Sequence, residues 1–387
     1  MKYALSIFIG IFYLLTLLPS VQMFFSPFPK KSISGIGRID RRVPKPSTER
    51  IFSGKFQKSM ENWFTKNTGF WGVFVRTENQ INVSLFKQAS TTYGNEVVLG
   101  KDKTLYRHKY LSDYNRKNLV SLDKLESRAR NLKTLQDLLA KRGVPLLFMI
   151  APTKPSFHTP QIPSEHQVLK QRKQGRNYDH FVKLLKQYKV EYLDARKYFL
   201  DRLEDYPHGV FAKTGSHWND IAICDMSRVL LANLEKRIKK NLIDFSCRPI
   251  KIKENPLATD TDLLMLLNVW NKKPLLSPVP YPKTKVIKSG GEYYPDLLFV
   301  GDSFLFGILR FFDFHKVYRK RNLFFYYRTN MEFPSMRRDV IQRAHINWER
   351  DIFSKDAIIV EINESEVQFA GYNFVQDAIE ALDPSNI

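Results

Sequence analysis

Apolar runs of strand length, set between longer amphipathic stretches, limit this chain more than any other feature. Val144–Ile150, Asp296–Val300 and Asp356–Ile362 are dominated by Leu, Ile, Val, Phe and Met. A strand that is apolar on both faces needs cover on both faces, as a parallel strand between helices has. The stretches between them agree. Leu119–Arg142 has helical apolar spacing and is stopped by Gly143, Tyr178–Tyr188 and Ile221–Leu242 read as helices, and Val190–Asp194 reads as a further strand. The expectation is an α/β domain of three layers with a mainly parallel sheet, over residues 55–387. Its irregular connections at 151–177 and 243–290 should lie near the C-terminal strand ends, where α/β folds build their sites. Upstream, Phe56–Phe86 has helical spacing broken at Thr68-Gly69, and Glu96–Gly100 is a short strand pattern.

The N-terminus adds a second element. No charged residue occurs from Tyr3 to Pro29, and Tyr3–Leu18 is almost wholly apolar. Roughly 20 apolar residues cross a bilayer core, so 1–25 is read as a transmembrane signal anchor. Cleavage is the alternative, but Leu18-Pro19-Ser20 makes a poor small-x-small site. Residues 26–54, rich in Pro, Lys, Arg and Ser without apolar periodicity, are a linker. Lys2 favours a cytoplasmic N-terminus, whereas Lys30, Lys31, Arg38, Arg41 and Arg42 on the other flank oppose it by the positive-inside rule.

Composition excludes several classes. With 61 basic and 39 acidic residues the net charge is +22, a field that attracts polyanions or an anionic membrane surface. The basic residues are dispersed, with no zinc-finger spacing, RNP-type strand or DNA-reading helix, so nucleic acid is not an expected partner. Two cysteines, Cys224 and Cys247, are too few for a disulfide scaffold; they either pair or remain buried thiols. None of the eight His has the spacing zinc requires, and no cofactor is expected.

The strongest chemical signal is a strand, then Gly301-Asp302-Ser303-Phe304, then a helix. A serine at such a turn presents its hydroxyl off the sheet edge, and backbone N–H groups of the Gly301-Asp302-Ser303 turn can hold an oxyanion. A serine nucleophile needs a base. His217, in Lys213-Thr214-Gly215-Ser216-His217-Trp218-Asn219-Asp220, sits in a polar loop before a helix with a bulky neighbour to fix it. His315, in a pattern resembling a strand start, and His345, His158 and His208 have weaker contexts. Lys154 and Arg76 are candidate substrate contacts or salt-bridge partners. Tyr326-Tyr327-Arg328, after the serine helix, is a candidate for meeting a sugar, with Tyr327 and Arg328 as the contacts, although an aromatic cluster in a chain that is 13 % aromatic is more often core.

In their order along the chain, six segments resemble the alginate O-acetyltransferase family, the AlgX/AlgJ-like branch of SGNH hydrolase-like proteins. They are Glu61–Phe70 followed by Arg76, Val97–Tyr106, Ile150–Lys154, Thr214–Asn219, Phe299–Phe304 and Val360–Glu364. The similarity runs from about residue 57 to 370. The resemblance implies a Ser–His–Asp site that moves acetyl groups onto an exported or cell-surface polysaccharide, with Ser303 as nucleophile and His217 as base. The family's Asp, two residues before the His, is Gly215 here, and Asp220 is the nearest candidate acid in sequence. The resemblance further implies a membrane-bound acyltransferase that exports acetyl groups as partner. It places the chain in the inner membrane with its soluble domain outside the cytoplasm. With 24 residues following Asn363, no C-terminal carbohydrate-binding module is expected. Two alternatives stand beside transfer: an acetyl-ester hydrolase using the same site, and a catalytically silent glycan-binding scaffold, for which Gly215 speaks.

Overall fold

The computed structural model describes residues 2–36, 39–89, 96–167 and 175–382. Arg38, and residues 168–174 of the connection 151–177, lie outside the described residues. The chain resolves into two units, one of residues 1–99 with 263–275, the other of 100–262 with 276–387. Residues 55–99, read from sequence as part of one domain over 55–387, group with the first unit.

In the larger unit the apolar runs form the middle of a seven-stranded sheet. Its strands are β1 (Leu146–Ala151), β2 (Tyr192–Asp194), β3 (Asp296–Gly301), β4 (Lys320–Phe325), β5 (Thr329–Phe333), β6 (Arg338–Val340) and β7 (Ala357–Asn363). The spatial order is β6-β5-β4-β3-β7-β1-β2, parallel from β4 through β2, with β5 and β6 added antiparallel at one edge. Alternation along each central strand sends side chains to opposite faces. Leu147, Met149, Phe299 and Ile359 enter one core with the helices Asp220–Ile238 and Leu305–His315. Phe148, Ile150, Val300 and Val360 enter the other with Leu122–Lys141, Asn177–Gln187 and Phe374–Leu382. Apolar burial on both faces, at about 25 cal/mol per Å², drives the α/β/α layering that the runs required.

Two differences from the sequence expectations have local causes, and one alternative left open there is settled. The β4–β5–β6 meander was not foreseen, because its strands are partly exposed and mix polar with apolar residues. His315 ends a helix instead of starting a strand; its ring stacks on Phe245 at 4.4 Å, and the helix closes at Lys316 in the left-handed region. Cys224 and Cys247 form a disulfide, which joins the helix Asp220–Ile238 to the connection 243–290.

The smaller unit contains α1 (Lys2–Phe25), α2 (Lys55–Asn67) and α3 (Trp71–Ile81). The break between α2 and α3 falls at Thr68–Phe70, where Phe70 takes a left-handed φ of 62°. Residues 263–275 are tied in by Asn79, whose amide donates to the Leu267 carbonyl at 2.8 Å, and by Asn268, which bonds the Ser34 backbone at 2.8 and 3.1 Å. Within Tyr3–Phe25, α1 has a mean hydropathy of 2.1, and an 18-residue apolar stretch of it is wholly unburied, which makes it a candidate membrane span.

Candidate active site

Strand β3 ends at Gly301, and the next three residues make the turn into the helix Leu305–His315. Gly301 is required by close approach: a Cβ there would meet Glu361 Oε2 and Leu305 Cδ1, each at 2.6 Å. Asp302 is buried to 1 % exposure and braces the turn, accepting from the Phe304 N–H at 2.8 Å and from Asn363 Nδ2 at 2.6 Å. The Asp302 N–H itself donates to Glu361 Oε2 at 3.0 Å. These bonds change the expected oxyanion set. Asp302 is committed to holding the turn, and of the N–H groups of Asp302, Ser303 and Phe304 only that of Ser303 has no acceptor among the described residues.

Glu361 reaches this turn from the adjacent strand β7 and is fully buried. Burial, then the neighbouring Asp302 charge, push its carboxyl well above the usual carboxylate range. Burial also raises Asp302, partly offset by its bonds to Phe304 and Asn363. Two acidic side chains in contact thus share the dry space behind the serine, where one is most stable with its proton kept.

His217 comes from a hairpin-like loop closed by the Phe211–Trp218 bridge. Trp218 is buried against Phe304 and Phe199, and the His217 ring lies 4.9 Å from that of Phe304. Asn219 completes the motif. Its Oδ1 caps the helix Asp220–Ile238 by accepting from the Ala222 N–H at 3.1 Å, and its Nδ2 donates to the Gly209 carbonyl at 2.9 Å. The result is one short contact: His217 Nε2 lies 2.8 Å from Ser303 Oγ.

The other ring nitrogen meets an acid that the sequence reading did not name. His217 Nδ1 lies 3.2 Å from Asp262 Oδ2. Asp262 Oδ1 accepts from the Ser216 N–H at 2.7 Å, and the Ser216 hydroxyl bonds both Asp262 Oδ2 and, at 3.1 Å, His217 Nδ1. Burial tends to raise the Asp262 carboxyl, but the hydrogen bond and charge of His217 and the bonds from Ser216 outweigh it, leaving the group below its ordinary value. An ionised Asp262 draws the imidazole proton to Nδ1 and leaves the Nε2 lone pair facing the serine.

Asp220, the candidate acid nearest in sequence, is engaged elsewhere: at the start of its helix it pairs with Arg310. Gly215 is where the Asp262 segment fits. A Cβ at 215 would come within 3.1 Å of three Asp260 backbone atoms, and Thr214 Oγ1 donates to the Asp260 carbonyl at 2.7 Å. The loop that brings in Asp262 therefore lies against the residue standing in the place of the family's acid. One signal pointed this way: the connection 243–290 was marked as site-forming, and Asp262 is its polar residue ahead of the run Leu263–Leu267.

The four remaining candidates are placed differently. Lys154 is 1 % exposed, and its ammonium donates to the Leu105 and Lys213 carbonyls at 2.9 and 3.0 Å, a buried post between backbone segments that forms no salt bridge among the described residues. Burial lowers it to about 7. Arg76 donates to the Ser32 carbonyl at 2.7 Å and lies over Trp270 within the smaller unit. Tyr327 is buried, at 1 % exposure, against Phe374 and Phe324, so its ring belongs to the core. Arg328 is exposed at the β4–β5 turn. Its neighbour Tyr326, in the left-handed region at φ 50°, donates its N–H to the Gly301 carbonyl at 2.9 Å and so abuts the serine turn.

A serine turn on the C-terminal edge of a mostly parallel three-layer sheet is an arrangement suited to acyl transfer, and the sequence match agrees with it. Residues 97–303, more than half of the chain, match the family described as SGNH hydrolase-like domain, acetyltransferase AlgX. The chain belongs to this family. Among solved structures it is similar to the O-acetyltransferase domain of Pseudomonas putida AlgJ, at 14 % identity over 74 % of this chain and 99 % of that one, with a TM-score of 0.45. It is similar to Pseudomonas aeruginosa AlgX at 14 % identity, over 73 % of this chain and 67 % of that one, with a TM-score of 0.44. Bacillus cereus PatB1, solved with a sulfonyl adduct, is similar at 9 % identity over 70 % of this chain and 97 % of that one, with a TM-score of 0.42. No curated protein matches the sequence.

Proposed function

We propose that this chain is a polysaccharide O-acetyltransferase working outside the cytoplasm through an acetyl-Ser303 intermediate. The observation that carries this reading is the line from Ser303 Oγ through the His217 imidazole to the Asp262 carboxylate, at 2.8 and 3.2 Å. His217 Nε2 takes the Ser303 hydroxyl proton as Oγ attacks the acetyl carbonyl carbon. The Ser303 N–H stabilises the oxyanion, and the proton on Nε2 passes to the leaving group. A sugar hydroxyl then gives its proton to Nε2 and attacks the acetyl carbon, and the departing Ser303 Oγ takes that proton back from Nε2. Asp262 keeps the ring in the tautomer and orientation that both half-reactions need.

Membership of an acetyltransferase family supports acetyl as the group moved and a polysaccharide as acceptor. The charge of +22 favours an acidic glycan. The Cys224–Cys247 disulfide favours an oxidising compartment, and α1 favours a membrane anchor beside an acyl-exporting membrane partner. The deciding experiment measures acetate release from an aryl acetate, and acetyl transfer from it to an acidic polysaccharide, by the protein and by Ser303→Ala and His217→Ala. Loss of both activities in both variants is expected. Release retained at the wild-type rate in Ser303→Ala overturns the serine mechanism, and release to water with no transfer to any glycan points to the hydrolase.

A further inference from the structure

In the smaller unit, the corner between α2 and α3 closes directly on the last turns of α1. Gly69 is buried at that corner, and a Cβ on it would fall 2.1 Å from the Pro19 carbonyl oxygen and 2.6 Å from the Gln22 Cβ. Gln22 pins the exit from α1: its amide donates to the Phe28 carbonyl at 2.8 Å and its Oε1 accepts from the Phe28 N–H at 3.0 Å. The Phe28 and Phe70 rings then meet at 5.8 Å. These contacts hold α2 and α3 at the level where an apolar helix of about 35 Å ends, the level of lipid headgroups for a helix that crosses a bilayer.

Two properties of this unit suit that level. Phe64 on α2 and Phe74 on α3 are 57 % and 53 % exposed, large apolar rings offered outward, and α2 carries Lys on its other faces. Beside them is a cavity of about 1120 Å³ whose wall runs from Gln22 of α1 to Gly69–Val73 at the corner into α3. Lys30, Lys31, Arg41 and Lys66 line it, with Ile36 and Phe70 supplying an apolar side. None of these four cations has a carboxylate partner among the described residues; Asp40, the carboxylate in the lining, is held by Arg42 at 2.8 Å. Cationic side chains gathered without counter-ions around a cavity repel one another, and an anion seated among them removes that repulsion.

We propose that this cavity is a binding site for the phosphate headgroup of an anionic phospholipid from the leaflet at the C-terminal end of α1, with Lys30, Lys31, Arg41 and Lys66 as its ligands. The apolar side of the cavity receives the start of the acyl chains, and the exposed Phe side chains lie in the same interfacial layer. The charge of the set selects an anionic lipid over a zwitterionic one. This site does not depend on the acyl-transfer reading. It also gives the basic flank of α1, which runs against the topology rule for a translocated domain, a role in lipid binding.

The test uses the full chain in nanodiscs of phosphatidylcholine alone, or with three-tenths phosphatidylglycerol, and counts co-purified phosphatidylglycerol by mass spectrometry. The protein is compared with Lys30→Gln/Lys31→Gln/Lys66→Gln, with the same three positions changed to Arg, and with Lys55→Gln/Lys58→Gln/Lys87→Gln outside the cavity. At about one kcal/mol for each basic residue near an anionic surface, the first variant should lose retention of phosphatidylglycerol on the order of a hundredfold. The Arg variant and the outside variant should stay near wild type, and the Arg variant separates a binding loss from a folding loss. An equal drop in the cavity and outside variants, or equal retention of both lipids by the protein, overturns the site. Displacement of the lipid by millimolar inorganic phosphate overturns the assignment to lipid and leaves a site for free anions.

Discussion

Asp262 and Asp220 separate the proposed catalytic contact from an ion pair at a helix start, at the scale of single residues. Asp262 touches the His217 imidazole, while Asp220 is paired with Arg310. Asp262→Asn should therefore lower kcat on the aryl acetate about a thousandfold with little change in KM, because the ring loses the tautomer that presents Nε2 to the serine. Asp220→Asn should leave kcat within about threefold and cost about 1 kcal/mol of stability, in keeping with a partly exposed ion pair at a helix start. Initial rates with chemical denaturation curves distinguish the two, and equal kcat losses would sink the assignment of the acid. Ser303 and His217 were legible in the sequence because each sits in a local motif, a strand–turn–helix and a polar loop before a helix. Asp262 was not, since nothing within a few residues of it records the imidazole 45 positions earlier (262 − 217).

At the scale of elements, β3, its serine turn and the following helix are braced from β7 by Glu361. Its carboxyl is faced by Asp302 from the turn, by Glu366 after β7, and by Tyr326 and Tyr372, which carry no charge at neutral pH. Its value is raised in the folded chain, so the folded state holds a proton that the unfolded state gives up near 4.5. The stability contributed is complete below that pH and declines as pH rises toward the folded value. Glu361→Gln keeps an acceptor for the Asp302 N–H and removes the ionisation. It should match wild type in thermal melts at pH 5 and exceed it at pH 8, by about 1.4 kcal/mol for each unit of raised pKa. A variant less stable than wild type at both pH values would show that the carboxyl is needed in its charged form. Most elements were readable from periodicity because burial on one or two faces imposes a period. The β4–β5–β6 meander was not, because an exposed edge places few demands on its side chains.

The whole molecule combines a membrane-span candidate, a strongly basic surface and an oxidised cysteine pair. The protein expressed with its own N-terminus should remain in the membrane fraction through high salt and alkaline carbonate, and should run as an intramolecularly oxidised monomer on a non-reducing gel. Release by carbonate, with a mature N-terminus beginning after α1, would replace the anchor with a cleaved signal. Oxidation and membrane retention are linked in the proposed setting, because a disulfide persists where the translocated part of the chain meets an oxidising compartment.

By itself the sequence determined the α/β class, the apolar N-terminal helix, the serine turn and the motif around His217. Each of these is written in residues close together, where backbone geometry and burial act directly on neighbours. The tertiary structure alone decided that Asp262 is the carboxylate beside His217, that Lys154 and Tyr327 are buried supports, that the cysteines pair, and that a basic cavity forms against α1. These features depend on which distant segments share space, and that follows from the packing of the whole sheet and its loops and not from any local run of the chain.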